Sequence, residues 1–148
     1  MITKIRFEFY NEILEREDVE TLWAESVDEE KGYYKLANIP FFVKGFAASD
    51  IVKAHKVDKG LPKVIELVEA SGNSTINVIF FDNQDKEYPE KILKSLQRLG
   101  AEYEEIGEMI TGYYTLNIPA DKPYRAIHNF LMQESDKLDF REACMGHK

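Results

Sequence analysis

Residues 71–81, SGNSTINVIFF, mark the point where the pattern of the chain changes, and they decide the fold. The stretch begins with a cluster of Gly, Ser and Asn near the midpoint of the chain, which is typical of a break between structural units. Residues 75–81 are apolar on both faces, as expected for a strand at the centre of a sheet. We therefore predict a boundary near Gly72, with one unit over residues 1–72 and another over residues 73–148.

The residues before this stretch predict a series of short strands separated by turns. Ile5, Phe7 and Phe9 alternate with less apolar neighbours, which is the period-two pattern of a half-buried strand. Gly32 and residues 58–60 (DKG) provide turn signals between later segments. The further predicted strands are Val19–Val27, Tyr33–Ile39, Ile51–Val57 and Leu61–Ala70. Five short strands divided by turns favour a small barrel, and we predict an SH3-like five-stranded β-barrel.

The residues after the stretch alternate between strands and helices. Pro89 is suited to the first turn of a helix, and Gly100 is suited to its end. Strands are predicted over residues 101–110 and Tyr113–Ile118, and Asp121 is expected to cap a second helix. With a final edge strand, the order is β-α-β-β-α-β, which predicts a ferredoxin-like unit. The expected fold class is therefore α+β.

Composition limits the classes of function that the chain can serve. It has 148 residues with 27 acidic and 19 basic side chains, for a net charge of -8. This acidity argues against binding of duplex nucleic acid, which requires an excess of Lys and Arg. The single cysteine excludes an internal disulfide framework and a zinc site built from several cysteines. Since the sequence contains neither a long apolar span nor a signal-peptide pattern, we expect a cytoplasmic protein without membrane contact.

The acidic residues are concentrated near the start of the chain. Residues 1–30 contain three basic and ten acidic side chains, which is seven of the eight net negative charges. Such asymmetry can mark an interaction face for a basic protein partner, although solvated loops that keep the protein soluble have the same composition. The candidate partner-binding residues are Glu12, Glu15, Glu17, Asp18, Asp28, Glu29 and Glu30.

Residues capable of catalysis do not form a recognisable motif. No nucleotide-binding loop, zinc-protease helix or nucleophile elbow occurs in the sequence. His55, His128 and His147 lack metal-ligand spacing, and Cys144 lies with His147 in a C-terminal tail that is expected to fray. We predict no catalytic residue, no metal site and no cofactor. An enzyme would require Asp50, His55 or His128 to converge as acid and base in one cleft.

Several segments together resemble a known family. Residues 20–24 (ETLWA), 34–36 (YKL), 38–42 (NIPFF), 49–52 (SDIV) and 71–75 (SGNST) occur in that order and at that spacing. The chain is similar, over residues 4–145, to the bacterial family catalogued only as domain of unknown function 4265. It departs from the family at Ser49, where the family tends to have Gly before the Asp. The resemblance implies a stand-alone bacterial cytoplasmic protein, and it brings no activity, cofactor or catalytic residue.

The same segments contain the candidate ligand-binding residues. Trp23, Asn38, Phe41, Phe42 and Asp50 could line a groove between the two units, since pockets often form at such junctions. Structural roles are the alternative: Trp23 in the core or at the rim of the barrel, Asn38 at a strand exit, and Asp50 in a tight turn.

We therefore expect a non-catalytic binding protein. Its concrete form would be an acidic immunity protein or inhibitor that masks a bacterial toxin or another basic partner, because acidic charge accelerates the capture of basic surfaces. The alternative is a sensor of a small molecule or nucleotide with a pocket at the junction. The sequence leaves the oligomeric state open.

Overall fold

The first half of the chain forms a barrel in the structure, a computed structural model that describes residues 1–82, 85–106 and 110–147. The strands are β1 (Ile2–Asn11), β2 (Arg16–Asp28), β3 (Tyr33–Leu36), β4 (Ile51–His55) and β5 (Lys63–Glu69). Each strand pairs antiparallel with the next, and a parallel contact between β5 and β1 closes the barrel. Over these described residues, the predicted five-stranded barrel is confirmed.

Alternating side chains fill the interior of the barrel. Ile5 and Phe7 of β1 and Leu22 and Ala24 of β2 are buried, whereas Trp23 between them points outward. Because successive strand residues face opposite sides, the period-two pattern alone is enough to place these residues in the core.

Two barrel strands end two or more residues earlier than the sequence predicts. β4 ends at His55 rather than at Val57. β3 ends at Leu36 rather than at Ile39. Beyond Leu36, the side-chain Oδ1 of Asn38, rather than a backbone carbonyl, accepts the N–H of Trp23 at 2.8 Å. The chain therefore leaves the strand ladder before Ile39.

The second half forms a sheet with helices on one face. The elements are β6 (Ser74–Phe80), α1 (Glu87–Arg98), β7 (Glu102–Glu105), β8 (Tyr113–Ile118), α2 (Tyr124–Gln133) and β9 (Leu138–Cys144). The strand order is β7-β8-β6-β9, and all neighbouring strands are antiparallel. β6 lies inside the sheet, as its apolar residues predict, and the α+β class is confirmed over the described part of the chain.

The two faces of this sheet differ in chemistry. On one face, Ile76 and Val78 of β6 pack in a core whose helix residues are Ile92, Leu93, Leu96, Ile127 and Leu131. On the other face, Asn77 lies in register between Thr115 of β8 and Arg141 of β9. This second, polar face points toward the barrel, and it positions the residues of the junction.

Two sequence predictions in this half need correction. Asp121 does not cap α2, because the helix begins directly after Pro123, whose extended backbone makes it the N-cap without a side-chain hydrogen bond. The strand predicted over residues 101–110 ends at Glu105, which lies opposite Tyr114 near the start of β8. The part of this prediction that falls on residues 107–109 lies outside the described residues.

Candidate functional site

The loop between β3 and β4, residues 37–50, joins the barrel to the sheet, and we call it the junction loop. Glu20 of β2 holds it from the barrel side. The Glu20 carboxylate accepts the backbone N–H groups of Phe41 at 2.6 Å and of Phe42 and Val43 at 3.0 Å each. Burial raises the pKa of Glu20, and the three hydrogen bonds oppose that shift. Glu20 is therefore a buried anchor for the loop backbone.

The polar face of the sheet holds the same loop from the other side. Arg141 donates from Nη2 to the carbonyl of Phe42 at 2.9 Å and from Nε to Asn77 Oδ1 at 3.0 Å. Asn77 Nδ2 donates to Thr115 Oγ1 at 2.9 Å, and that hydroxyl donates to the carbonyl of Pro40 at 2.7 Å. Together these side chains form a hydrogen-bonded row from the sheet to the loop.

Aromatic packing completes the contact at Phe41 and Phe42. The hydroxyl of Tyr113 donates to the Phe41 carbonyl, and the Tyr113 ring stacks on Phe42 with the ring centroids 5.2 Å apart. Burial raises the pKa of Tyr113, so its hydroxyl stays a donor. Phe42 is only 7% exposed, and its ring is part of the packing between barrel and sheet.

Asp50 closes the junction loop internally. Its Oδ2 accepts the N–H of Ala47 at 2.9 Å, and its Oδ1 accepts both the N–H and the hydroxyl of Ser71 at 2.8 Å. The preceding Ser49 has a φ of 69°, in the left-handed region that favours glycine. This conformation explains physically why glycine suits that position.

Of the remaining candidate ligand residues, Asn38 lies near the start of the junction loop and Trp23 lies on β2. Asn38 uses its side-chain oxygen to accept the Trp23 N–H, as a strand exit requires. The Trp23 ring is 47% exposed on the outer surface, with Lys4 Nζ 5.0 Å from the ring centroid. Four of the five candidates therefore lie in the junction loop, which are Asn38, Phe41, Phe42 and Asp50. The side chain of Trp23 points away from the barrel core.

The candidate acidic residues fall into two groups at opposite ends of β2. The first group lies in the turn after β1 and at the start of β2, and the second lies at the end of β2 and in the turn before β3. β2 has 13 residues, and at about 3.3 Å per residue its ends are roughly 40 Å apart along the strand. The groups are Glu12, Glu15, Glu17 and Asp18 at one end, and Asp28, Glu29 and Glu30 at the other. They cannot form one continuous patch.

Internal contacts engage part of the first group. Both carboxylate oxygens of Glu12 accept hydrogen bonds from Lys44 Nζ at 2.9 Å, which lowers the pKa of Glu12. Asn11 Nδ2 donates to Asp18 at 3.0 Å, and this bond lowers the pKa of Asp18. Within the described residues, the exposed carboxylates of Glu15 and Glu17 have no hydrogen bond or ion pair.

A groove between α2 and β9 was not predicted. It has a volume of about 760 Å³, and its lining includes Tyr124, His128, Glu142 and His147. The Tyr124 hydroxyl donates to Glu142, and His128 Nδ1 lies 3.8 Å from the same carboxylate. Burial and this hydrogen bond raise the pKa of Tyr124. The described residues include no group of three or more His, Cys, Asp or Glu side chains placed to hold a metal ion.

The C-terminal tail is fixed against β6 rather than frayed. Ser74 Oγ accepts the N–H groups of Gly146 and His147 at 3.0 and 3.2 Å, so the hydroxyl is left to donate to His147 Nδ1 at 2.6 Å. His147 Nε2 then donates to the Pro119 carbonyl at 3.0 Å. The prediction that the tail frays is wrong. Hydrogen bonds to Ser74 and Pro119, which are far from the tail in the sequence, hold it in place.

The other residues with reactive side chains lie on different elements of the structure. Asp50 is buried in the junction loop, His55 is exposed at the end of β4, and His128 lies on α2. Burial raises the pKa of Cys144 to about 11, which leaves little thiolate at neutral pH. Asp50, His55 and His128 therefore lie on different elements, and Cys144 is a poor nucleophile.

These features define the class of the molecule. Over the described residues, it is an α+β protein in which a closed five-stranded barrel packs through a junction loop against a four-stranded sheet with two helices. Residues 20–140 match the family described as domain of unknown function (DUF4265). The chain belongs to this family, which confirms the resemblance seen in its sequence.

Comparison with solved structures supports the same architecture. The chain is similar to a hypothetical protein from Neisseria gonorrhoeae, with 25% identity and a TM-score of 0.82. The similarity covers 100% of this chain and 98% of that protein. No curated protein matches the chain. Among the described residues, no helix is long and apolar enough to cross a membrane.

Proposed function

We propose that the chain is a non-catalytic binding protein that captures a protein partner with a basic surface. The observation that carries the proposal is the fixed shape of the acidic turn between β1 and β2, residues 12–15, with its flanking Glu17 and Asp18. Within the described residues, the carboxylates of Glu15 and Glu17 in this region are unpaired, and the turn is held by internal hydrogen bonds.

Asn11 provides that support. It is 1% exposed, and its Oδ1 accepts the N–H groups of Ile13 and Leu14 at 3.0 and 3.1 Å. Its Nδ2 donates to Asp18 on the returning strand. A binding surface that is already ordered loses less conformational entropy when its partner arrives.

The charges on the turn favour one kind of partner. Glu15 and Glu17 are exposed and have no internal cation within the described residues. A partner rich in Lys and Arg would be steered toward such a surface, and its association would slow as salt is added. In its concrete form the proposal is an immunity protein or inhibitor that masks a toxin in the bacterial cytoplasm.

Affinity capture from a lysate of the source organism tests this proposal. We expect the wild-type chain to retain a basic protein that the double variant Glu15→Lys, Glu17→Lys loses. The matched control is Glu29→Lys, Glu30→Lys, which changes the charge equally at the other end of β2 and should retain the protein. Retention of the same proteins by both double variants would overturn the proposal.

A second candidate function is a sensor of a small molecule, because a cavity lies at the junction. Its volume is about 210 Å³, and its lining includes Ile13 of the acidic turn with Asn77, Tyr113 and Arg141 of the sheet. None of the predicted ligand residues lines it, which are Trp23, Asn38, Phe41, Phe42 and Asp50. The lining also contains Asp139, so this space suits a small ligand that carries a hydrogen-bond donor as well as an anionic group facing Arg141. A thermal shift with inorganic phosphate or nucleotides that is absent in Arg141→Met would favour the sensor.

We propose finer fold assignments for the two halves as well. The antiparallel order β7-β8-β6-β9, with the chain order β-α-β-β-α-β, supports a ferredoxin-like unit. The closed form and five strands of the barrel support the SH3-like type. The division of the chain at residue 72 stays a prediction.

A further inference from the structure

The groove between α2 and β9 lies apart from the acidic turn and from the junction. Glu142 of β9 pairs with Ile76, on the helix side of the sheet. The preceding Arg141 pairs with Asn77 on the face toward the barrel, because successive strand residues face opposite sides. The volume of the groove, about 760 Å³, lies within the range of roughly 300–1,000 Å³ that is usual for small-molecule sites. The groove is therefore a separate place for a small ligand.

Aromatic rings line this groove in fixed positions. The ring centroid of Tyr124 lies 5.8 Å from that of His128 and 5.9 Å from that of His147. The Tyr124 hydroxyl donates to Glu142, and both ring nitrogens of His147 form hydrogen bonds within the protein. Met145, which is 40% exposed, adds a flexible apolar side chain to the lining. A planar ligand would therefore meet an apolar surface that is ordered before it binds.

One cation and one carboxylate accompany the rings. Arg125 lines the groove and, within the described residues, has no hydrogen bond or ion pair. Tyr124 and His128 both approach Oε2 of Glu142, so its Oε1 has no partner in the described part of the chain. A guanidinium group binds carboxylates and phosphates, and a free carboxylate oxygen accepts hydrogen bonds from an ammonium group. The groove thus has a place for an anion and a place for an amine.

We propose that the groove binds a small ligand with a planar ring, an amino group and an anionic group, as in an aromatic amino acid. The ring packs against Tyr124 and the histidine rings, the amino group donates to Glu142, and the anionic group faces Arg125. This site goes beyond the proposed function, because no residue of the acidic turn lines the groove.

The two opposite charges disfavour ligands that carry only one charge. A simple anion is attracted by Arg125 and repelled by Glu142, and a simple amine meets the reverse. A ligand with both groups is attracted by both side chains. The rings then add contact area that a small ion lacks, so the lining favours an aromatic zwitterion.

NMR titration of the isotope-labelled full chain with L-tryptophan tests the site. We expect the imidazole signals of His128 and His147 to shift, because both rings line the groove. The signals of His55, which is exposed at the end of β4, should stay in place. Tryptamine lacks the carboxylate and indolepropionate lacks the amino group, so each should bind about tenfold more weakly than tryptophan.

Two variants assign each charged group of the ligand to its side chain. Arg125→Met should weaken the binding of tryptophan about tenfold and leave that of tryptamine unchanged. Glu142→Gln should weaken the binding of tryptophan and leave that of indolepropionate no weaker. The matched controls Arg98→Met on α1 and Glu25→Gln on β2 change the same charges outside the groove and should bind tryptophan as wild type does.

Several results would overturn the proposal. Tryptophan that does not bind, or that shifts His55 as much as His128 and His147, would remove the site. Equal binding of tryptophan, tryptamine and indolepropionate would show an apolar surface that does not select a zwitterion. Unchanged tryptophan binding in Arg125→Met would do the same. None of these results changes the outcome of the affinity capture on which the proposed function depends.

Discussion

At the scale of the residue, Ser49 adopts a backbone conformation that is unfavourable for serine. A φ of 69° is strained for serine and natural for glycine. Left-handed backbone costs a non-glycine residue about 1–2 kcal/mol, and glycine loses roughly 0.5–1 kcal/mol through the entropy of the unfolded chain. Ser49→Gly should therefore raise the free energy of unfolding by about 0.5–1 kcal/mol, as measured by urea denaturation.

A control separates this effect from a general effect of glycine. Ser135 follows α2 and has no positive φ. Ser135→Gly should leave stability unchanged or lower it. If both substitutions stabilise the protein, or Ser49→Gly destabilises it, the explanation from backbone strain is wrong.

The raised pKa of Glu20 predicts how the free energy of unfolding depends on pH. Its pKa in the folded protein is raised above the ordinary value of 4.5 by burial. Between those two pKa values the folded state binds more protons than the unfolded state, so the free energy of unfolding falls as pH rises through this window. Above the folded pKa this contribution stays constant.

The variant Glu20→Gln isolates that contribution. In this variant the side-chain NH2 group would face backbone N–H groups, so a donor would meet donors. We therefore expect the free energy of unfolding to fall by about 1–3 kcal/mol at neutral pH. The stability of wild type minus that of the variant should decrease as pH rises above 4.5, measured by urea denaturation at a series of pH values. An increase over the same window would contradict the assignment, and the exposed Glu25→Gln serves as control.

At the scale of the element, the turn between β1 and β2 depends on one buried side chain. Asn11→Ala removes the acceptor for Ile13 and Leu14 and the donor to Asp18. We expect a loss of about 1–3 kcal/mol in the free energy of unfolding, because buried polar groups lose partners. NMR titration should also show the pKa of Asp18 rising toward its ordinary value of 3.8. An unchanged Asp18 pKa would show that Asn11 does not organise the turn.

The sequence predicts elements well where their own residues carry the signal. Alternation of Ile5 and Phe7 identifies β1, and the apolar run after Gly72 identifies β6 as a central strand. The exposure of Ile65–Glu69 in β5 could not be predicted, because VIELVE has the composition of an ordinary buried strand. This exposure depends on where β1 lies relative to β5, and the contact between those strands joins residues that are far apart in the chain.

At the scale of the whole molecule, the junction loop couples the barrel to the sheet. Arg141 contributes by binding both Asn77 and the Phe42 carbonyl. We expect wild type to unfold in a single calorimetric transition, since the loop belongs to both halves. Arg141→Met should lower stability by about 1.5–3 kcal/mol, whereas Arg125→Met on the exposed face of α2 should not. Two separate transitions in wild type would contradict this coupling.

The candidate site was predicted only in part, for a physical reason. Phe41, Phe42 and Asp50 do lie in one loop, and their spacing in the sequence is enough to place them together. The sequence carries no sign that the Asp50 carboxylate would be satisfied by Ser71, or that Tyr113 would stack on Phe42. Likewise, counting charges along the sequence locates the acidic residues, but it does not show that they form two groups at opposite ends of β2.

The rate of association with the captured partner tests the central claim, that a fixed acidic surface recruits a basic protein. Measured against salt concentration, the rate constant for wild type should fall steeply, because screening weakens electrostatic steering. The dependence should flatten for Glu15→Lys, Glu17→Lys and stay steep for Glu29→Lys, Glu30→Lys. A wild-type association rate that does not change with salt would contradict the claim.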